Sequence, residues 1–241
     1  MAAALRLLVS ALLAVCLAAA SARAARAGPE GALTVTSDYV LRGISQSDGK
    51  PVLQGDVHWE FPSGWSAGLW GSQLRFWPRT ASSELGPYLQ WQGTLSGDFD
   101  LGVAYTHYAY PNDPRAVSYD YDELAVSLAW RDQVYLAASW TPRLNLYSAS
   151  DGLASNREVY TLEASWHRTI RPRFDLSVGL GFYDPQGVDY ASYAYGNTTL
   201  GWHYGHWRAN LSAIWVQDAS HRQYSPGPAG GPLTATLAWL F

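Results

Sequence analysis

The chain has 241 residues, of which 16 are lysine or arginine and 20 are aspartate or glutamate, so its formal net charge at pH 7 is −4. This acidic balance argues against nucleic acid as a partner. A single cysteine excludes an intrachain disulfide and a cysteine-based metal site. The 12 tryptophans and 16 tyrosines favour an all-β class over a helical one.

Residues 1–27 have the features of a cleaved export signal. Arg6 provides the basic start, and the apolar run that follows, residues 7–20, is too short to span a bilayer. Small residues stand where signal peptidase requires them, so we expect cleavage after Ala27. The mature chain would be a single domain, residues 28–241. No later apolar run approaches the ~18 residues that a membrane helix needs.

The mature sequence then shows twelve segments in which apolar and polar residues alternate. Most have about 9 to 12 residues, the length that a tilted strand needs to cross a bilayer. The predicted strands are residues 33–42, 53–61, 65–74, 84–95, 99–108, 121–130, 134–140, 159–167, 174–182, 193–204, 207–216 and 233–241.

The connections between these segments alternate between short and long. The short ones are residues 62–64, 96–98, 131–132, 168–173 and 205–206, and the long ones are 43–52, 75–83, 109–120, 141–158, 184–192 and 217–232. Short periplasmic turns and long extracellular loops are typical of outer-membrane barrels, and an even strand number places both termini at the periplasmic side. We therefore predict an all-β fold: a transmembrane antiparallel β-barrel of about twelve strands in the Gram-negative outer membrane.

Aromatic residues support this orientation. The last strand alternates and ends on Phe241, which is typical of a strand that closes such a barrel and that the barrel assembly machinery recognises. We expect one aromatic girdle at the short turns, formed by Trp59, Trp65, Trp91, Trp130, Trp166, Trp202, Trp207 and Trp239. We expect the other at the long loops, formed by Tyr39, Tyr108, Tyr110, Tyr119, Tyr121, Tyr160, Tyr183, Tyr193, Trp140 and Trp215.

The polar face of each predicted strand should line the lumen, because every second residue must be apolar to face lipid. The predicted pore-lining charges are eight carboxylates and two arginines: Asp38, Asp56, Glu60, Glu84, Asp100, Glu123, Glu163, Asp175, Arg42 and Arg208. An acidic lumen favours cations. The alternative is that these carboxylates pair with arginines, tyrosines and histidines and serve to stiffen the wall. The strand at residues 65–74 cannot be phased by pattern, because Leu69 and Trp70 are adjacent.

One segment supports more than a fold class. Residues 37–51, together with Gln54-Gly55 and residues 69–72, resemble the start of the TorF-type porins, an outer-membrane family of Gram-negative bacteria whose substrates are not defined. The resemblance implies a barrel over the entire mature chain. Within the segment we expect Arg42-Gly43 to end the first strand with a kink and Asp48-Gly49 to turn the first loop.

These observations predict a passive diffusion channel for small hydrophilic solutes, with outer-membrane lipids as its surroundings, no cofactor, and a monomeric state. The long loop 141–158 and the last loop are both candidates to fold inward. A non-conducting binding or structural barrel is the alternative, and a lipid hydrolase built around His107 is a third hypothesis without an evident serine. His203 and His206 have metal-like spacing but no third ligand, so no metal site or catalytic residue is predicted.

Overall fold

The computed structural model describes residues 29–75, 81–111, 113, 119–147, 154–187, 191–217 and 232–241. The predicted export signal, residues 1–27, lies outside the described residues. Among the described residues, no helix is long and apolar enough to cross a membrane.

In the part of the chain that is described, twelve long strands close into one antiparallel barrel, and two short strands form a separate hairpin. The barrel strands are β1 (Pro29–Thr36), β4 (Val52–Glu60), β5 (Trp65–Gln73), β6 (Ser83–Ser96), β7 (Phe99–Tyr108), β8 (Tyr121–Trp130), β9 (Val134–Tyr147), β10 (Ala154–Arg171), β11 (Phe174–Pro185), β12 (Tyr193–Tyr204), β13 (Trp207–Val216) and β14 (Leu233–Leu240). The hairpin strands are β2 (Val40–Leu41) and β3 (Ile44–Ser45). The predicted twelve-stranded barrel is confirmed.

Strand β1 closes the barrel, because it pairs with β14 on one side and with β4 on the other. It begins at Pro29, four residues before the predicted start. Gly31 exchanges backbone hydrogen bonds with Phe241, and a Cβ on Gly31 would lie 2.6 Å from the Phe241 ring. The terminal aromatic ring therefore packs against the first strand at a position where only glycine leaves room. Closure satisfies the backbone groups that an open sheet edge would expose.

The outer surface carries the apolar residues that alternation assigned to it. On β11, for example, Val178 and Leu180 are 38% and 56% exposed, and on β4 Val57 and Trp59 are 38% and 50% exposed. The unphased strand is also resolved: Leu69 faces outward, whereas Trp70 faces inward against Tyr39, with ring centroids 5.7 Å apart. Because exposed apolar side chains occur all around the barrel, its surface suits a hydrocarbon environment.

The short turns all lie at one end of the barrel, which we call the short-turn end, and the long connections lie at the opposite, long-loop end. Three strands are clearly longer than predicted at the long-loop end: β9, β10 and, by three residues, β11. β9 continues to Tyr147 and β10 starts at Ala154, so much of the predicted loop 141–158 is a paired ladder with a register shift near Val159. The remainder of that loop, residues 148–153, lies outside the described residues. The pattern read as a loop because this ladder contains polar residues and a proline.

The first predicted strand, residues 33–42, is wrong in its second half. β1 ends at Thr36, and Arg42 and Gly43 have positive φ values of 51° and 81°. Two consecutive positive φ angles form a two-residue hairpin turn, here the one that joins β2 to β3. The predicted kink at Arg42-Gly43 therefore exists as the tip of a hairpin. The predicted turn at Asp48-Gly49, with φ values of 56° and 67°, is also present.

Candidate pore and its internal hairpin

Residues 37–51, the inner hairpin, leave the barrel wall at the long-loop end and fold into the lumen. Asp38 organises its base: the Oγ atoms of Ser45 and Ser47 donate hydrogen bonds of 2.6 and 2.7 Å to Asp38 Oδ1. The hydroxyl of Ser47 also accepts a hydrogen bond from the Tyr39 amide. Asp38 is buried, at 5% exposure. The prediction that Asp38 is part of the strand wall is therefore wrong, and the residue instead closes the hairpin on itself.

The tip of the inner hairpin reaches the far wall. The guanidinium of Arg42 lies 2.5 Å from Glu123 Oε2 on β8 and 3.3 Å from Ser139 Oγ on β9. β8 is the fifth strand from β1 around the barrel, so this ion pair crosses the lumen. The hydroxyls of Ser139 and Thr141 also donate to Glu123. Arg42 was predicted to lie on the wall; the structure corrects this, because the hairpin carries it across to its partner.

Electrostatics hold Arg42 in its charged form. Burial is the largest single influence on the pKa of Arg42 and would lower it. Attraction to Glu123, the hydrogen bond to it and interactions with Tyr121 and Tyr183 together outweigh burial, so the pKa stands well above its ordinary value. The guanidinium also lies 5.8 Å from the centre of the Tyr183 ring, within the range of a cation–π interaction. Arg42 therefore stays charged throughout the physiological pH range.

Apolar packing fixes the same tip. Ile44 is buried in a cluster with Val159, Tyr183, Tyr193 and Tyr195. These cluster partners come from β10, β11 and β12, so the tip contacts three consecutive wall strands besides β8 and β9. The inner hairpin is thus held by an ion pair and by a hydrophobic contact on the same side of the lumen.

The flank of the hairpin contacts a further wall strand, β6, which is separated from β8 by β7 alone. Glu84 on β6 is only 1% exposed, and each of its oxygens accepts a hydrogen bond from a tyrosine. Tyr39 of the hairpin donates to Oε2 at 3.1 Å, and Tyr110, beyond β7, donates to Oε1 at 2.9 Å. Burial, followed by the nearby Glu84 carboxylate, raises the pKa of Tyr39 well above its ordinary value. Tyr39 therefore acts as a permanent donor to Glu84.

Several tyrosines at the long-loop end line the interior, which corrects the predicted outer girdle at these positions, whereas Trp215 faces outward at 47% exposure. Tyr121, Tyr183 and Tyr193 are buried at 7%, 7% and 2% exposure. Tyr108 stacks on Tyr121 with ring centroids 4.6 Å apart. Sequence pattern placed these residues beside long loops correctly but could not show that an inner hairpin would cover them.

Below the inner hairpin, the wall of β8 to β12 borders a half-open cavity of about 240 Å³. Its floor includes Ser127, Tyr135 and Glu163, and Tyr195 donates a 2.5 Å hydrogen bond to Glu163. Small residues such as Ala137 and Gly179 leave the space open.

The other predicted pore-lining charges lie on the inner face and differ in their hydrogen-bonding partners. Asp56 interacts with His58 at 2.7 Å and with Tyr88 at 3.0 Å, and Asp175 interacts with His203 at 3.0 Å. Asp100 accepts a 2.7 Å hydrogen bond from Thr94. Many of these carboxylates thus have hydrogen-bonding partners.

Two charges near the short-turn end differ from the rest. Glu60 has no hydrogen-bond or ion-pair partner among the described residues. Arg208 is half-buried and, among the described residues, donates hydrogen bonds to the backbone carbonyls of Gly205 and Trp207 and to no carboxylate. Whether these residues and those above line a conducting pore stays a prediction.

A polar group on the outer surface corresponds to the hydrolase hypothesis. His107 Nδ1 lies 2.9 Å from Asp122 Oδ1, and Tyr105 donates a 2.7 Å hydrogen bond to the same oxygen. A His–Asp pair is part of a hydrolytic site, but hydrolysis also needs a nucleophile. Within the described residues, Asp122 is the hydrogen-bonding partner of His107, and no serine hydrogen-bonds to its ring.

Comparison with known proteins identifies a family. Residues 28–225 match the model of a family described as "Bacterial protein of unknown function (Gcw_chp)". The chain belongs to this family. No curated protein matches the chain.

Solved structures share its fold. The NanC porin aligns with a TM-score of 0.59 at 10% identity, covering 88% of this chain and 98% of the porin. The KdgM porin aligns with a TM-score of 0.53 at 9% identity, covering 89% and 98% of the two chains. An outer-membrane channel from Pseudomonas putida F1 aligns with a TM-score of 0.50 at 11% identity, covering 91% and 97%. At these identities the likeness demonstrates a shared barrel architecture.

Proposed function

We propose that this chain is an outer-membrane channel for passive diffusion of small hydrophilic solutes. Its apolar outer face, closed backbone and polar interior are the properties of a transmembrane barrel, and proteins with the same architecture are named as porins or channels. The short-turn end would face the periplasm. The inner hairpin would then form the constriction near the extracellular mouth.

The contact between Arg42 and Glu123 carries this proposal. A barrel that served only as a structural support needs no ordered loop held across its lumen by an ion pair. An infolded loop determines how large a solute passes, because the width of twelve strands lies between filled eight-stranded barrels and open sixteen-stranded porins. The cavity below the hairpin would hold solute that has passed the constriction.

We further propose that the channel prefers cations. Arg42 is engaged with Glu123, whereas Glu163 and Glu60 have no cationic side chain within 4 Å among the described residues. Wall carboxylates without a counter-charge raise the local concentration of cations. Asp56 and Asp175 add to this field while they orient histidines.

Planar-bilayer recording tests both proposals. The protein, purified from outer membranes in detergent, should give discrete current steps and a cation-selective reversal potential under a tenfold KCl gradient. Glu163→Gln should move that potential toward zero, whereas Asp98→Asn, in a short turn, should not. Equal reversal potentials for the parent and Glu163→Gln would remove Glu163 from the selectivity proposal.

A non-conducting binding barrel is the second candidate, and the inner hairpin is the observation that favours it, because the same contacts could seal the lumen. The two candidates differ in current. A folded protein that stays silent both as the parent and after removal of the Arg42 contact would support a sealed barrel and contradict the channel.

Further features of the proposal concern export and assembly. Residues 1–27 would direct secretion and then be removed. β14, ending on Phe241, would present the signal to the barrel assembly machinery, and the mature barrel would be a monomer. The resemblance of residues 37–72 to TorF-type porins supports the channel class.

A further inference from the structure

We propose that Glu30, His58 and Glu60 form a binding site for a divalent transition-metal ion at the short-turn mouth of the lumen. The potential ligand atoms of the three residues lie within 4.8 Å of one another. Glu30 and His58 are direct partners across β1 and β4, and Glu60 is two residues further along the same face. One side of one strand pair thus supplies three potential ligands to one point.

Histidine orientation supports this proposal. His58 Nδ1 lies 2.7 Å from Asp56 Oδ1, which leaves Nε2 as the ring nitrogen that can bind a metal ion. Tyr88 in turn donates a 3.0 Å hydrogen bond to the other Asp56 oxygen. A carboxylate that holds the second nitrogen of a histidine fixes its tautomer and ring position, and this arrangement accompanies almost every metal-binding histidine.

Glycine at position 68 provides the space for that array. A Cβ on Gly68 would lie 2.5 Å from the Tyr88 ring and 2.6 Å from the His58 Cβ. Both distances are too short for a real contact, so a larger residue on β5 would displace Tyr88 or His58. The neighbouring strand is therefore built to accommodate the Tyr88–Asp56–His58 chain.

Charge balance adds an independent argument. Glu30, Asp56 and Glu60 bring three carboxylates to one patch, and no lysine or arginine forms an ion pair with them among the described residues. Neither Glu30 nor Glu60 has a hydrogen-bonding partner in the same part of the chain. Like charges at this spacing repel one another, and a bound dication would offset that repulsion.

The ligand types identify the class of metal. One imidazole nitrogen and two carboxylate oxygens suit zinc and similar first-row ions, whereas calcium and magnesium take oxygen ligands. Three protein ligands leave one tetrahedral position for water or for a passing solute. The site would thus hold an exchangeable metal ion in the path of diffusion.

Calorimetric titration of the detergent-solubilised barrel with Zn²⁺ alone tests the proposal. We expect one saturable site, weakened at least tenfold in His58→Gln and in Glu60→Gln. Asp56→Asn should weaken binding by about 10- to 100-fold, since it removes the group that orients His58. Folding of each variant is checked by the difference in electrophoretic mobility between heated and unheated barrel.

His203→Gln is the matched control. His203 also lies on the inner face and is also held by a carboxylate, Asp175, at 3.0 Å, but no group of three metal-binding side chains includes it within the described residues. It should leave Zn²⁺ affinity unchanged. Absence of Zn²⁺ binding, equal affinity in His58→Gln, or an equal loss in His203→Gln would each overturn the proposal. None of these results depends on whether the barrel conducts.

Discussion

Replacing Arg42 by alanine should release the inner hairpin and enlarge the current through the barrel. Arg42 and Glu123 are only 14% and 11% exposed, so this is a buried ion pair and not a surface contact. Removing one partner of a buried pair typically costs about 3 to 5 kcal/mol because the other charge is left uncompensated. Ser139 and Thr141 still donate to Glu123, so the lower end of that range, ~3 kcal/mol, is the better estimate.

The loss of ~3 kcal/mol determines how far the equilibrium between docked and released hairpin shifts. At ~1.4 kcal/mol for each factor of ten, a loss of 3 kcal/mol shifts the balance between docked and released hairpin by about two orders of magnitude. Single-channel recording should therefore show larger or longer openings in Arg42→Ala. Hydrogen exchange should report faster exchange at the amide of Gln46, which donates to the Tyr39 carbonyl within the hairpin.

Two further variants test whether the ion pair between Arg42 and Glu123 holds the hairpin. Arg208→Ala also removes one of the two predicted inner arginines. Among the described residues Arg208 donates to backbone carbonyls and forms no ion pair, so the current through this variant should match that of the parent. The double variant Arg42→Met with Glu123→Leu removes both charges together and should dock the hairpin again, because paired apolar replacement is close to neutral. If Arg42→Ala and Arg208→Ala behave alike, the ion pair does not hold the hairpin.

Two predictions concern stability. Gly43→Ala should destabilise the docked hairpin by about 1 to 3 kcal/mol, because the added Cβ would lie 3.0 Å from Val216 at a φ of +81°. The expected result is faster protease cleavage within residues 37–51. Gly49→Ala is the control for backbone strain alone, since Gly49 has a φ of +67° and nothing within 4 Å of its Cβ position, and equal effects of the two variants would argue against the Val216 contact. Leu180→Arg, on the outward face near the middle of β11, should lower the free energy of unfolding by roughly 2 to 4 kcal/mol, measured by urea unfolding in lipid vesicles. Ser177→Arg, on the inward face of the same strand, should lower it much less. Equal losses in the two variants would contradict the assigned faces.

The sequence pattern was sufficient to predict the barrel because strand faces and turn positions depend on residues that are close together in the chain. Alternation on β11 or β14 assigns each residue to one of two faces, and turn residues such as Arg131 and Asp132, with φ values of 51° and 52°, determine where the chain reverses. Lipid outside and polar groups inside impose this pattern on each strand separately. Twelve strands could therefore be counted without knowledge of any tertiary contact.

Strand ends were less predictable because pairing decides them. Pro29 and Glu30 have weak strand propensity, yet they extend β1 because β4 is long enough to pair with them. Glu30 was consequently absent from the predicted inner face, and the sequence did not predict that it approaches His58 and Glu60. A two-residue sequence spacing could suggest His58 with Glu60, but the third ligand comes from another strand.

The amino-acid sequence by itself determined the strands, their two faces and the sorting of short and long connections, since each follows from residues that are neighbours along the chain. Only the tertiary structure decided that residues 37–51 cross the lumen. The partners that hold Arg42 and Ile44 there, Glu123 and Tyr183, lie far away in sequence. Alternation assigns a residue to a face, but it cannot show which distant side chain will meet it inside a closed barrel.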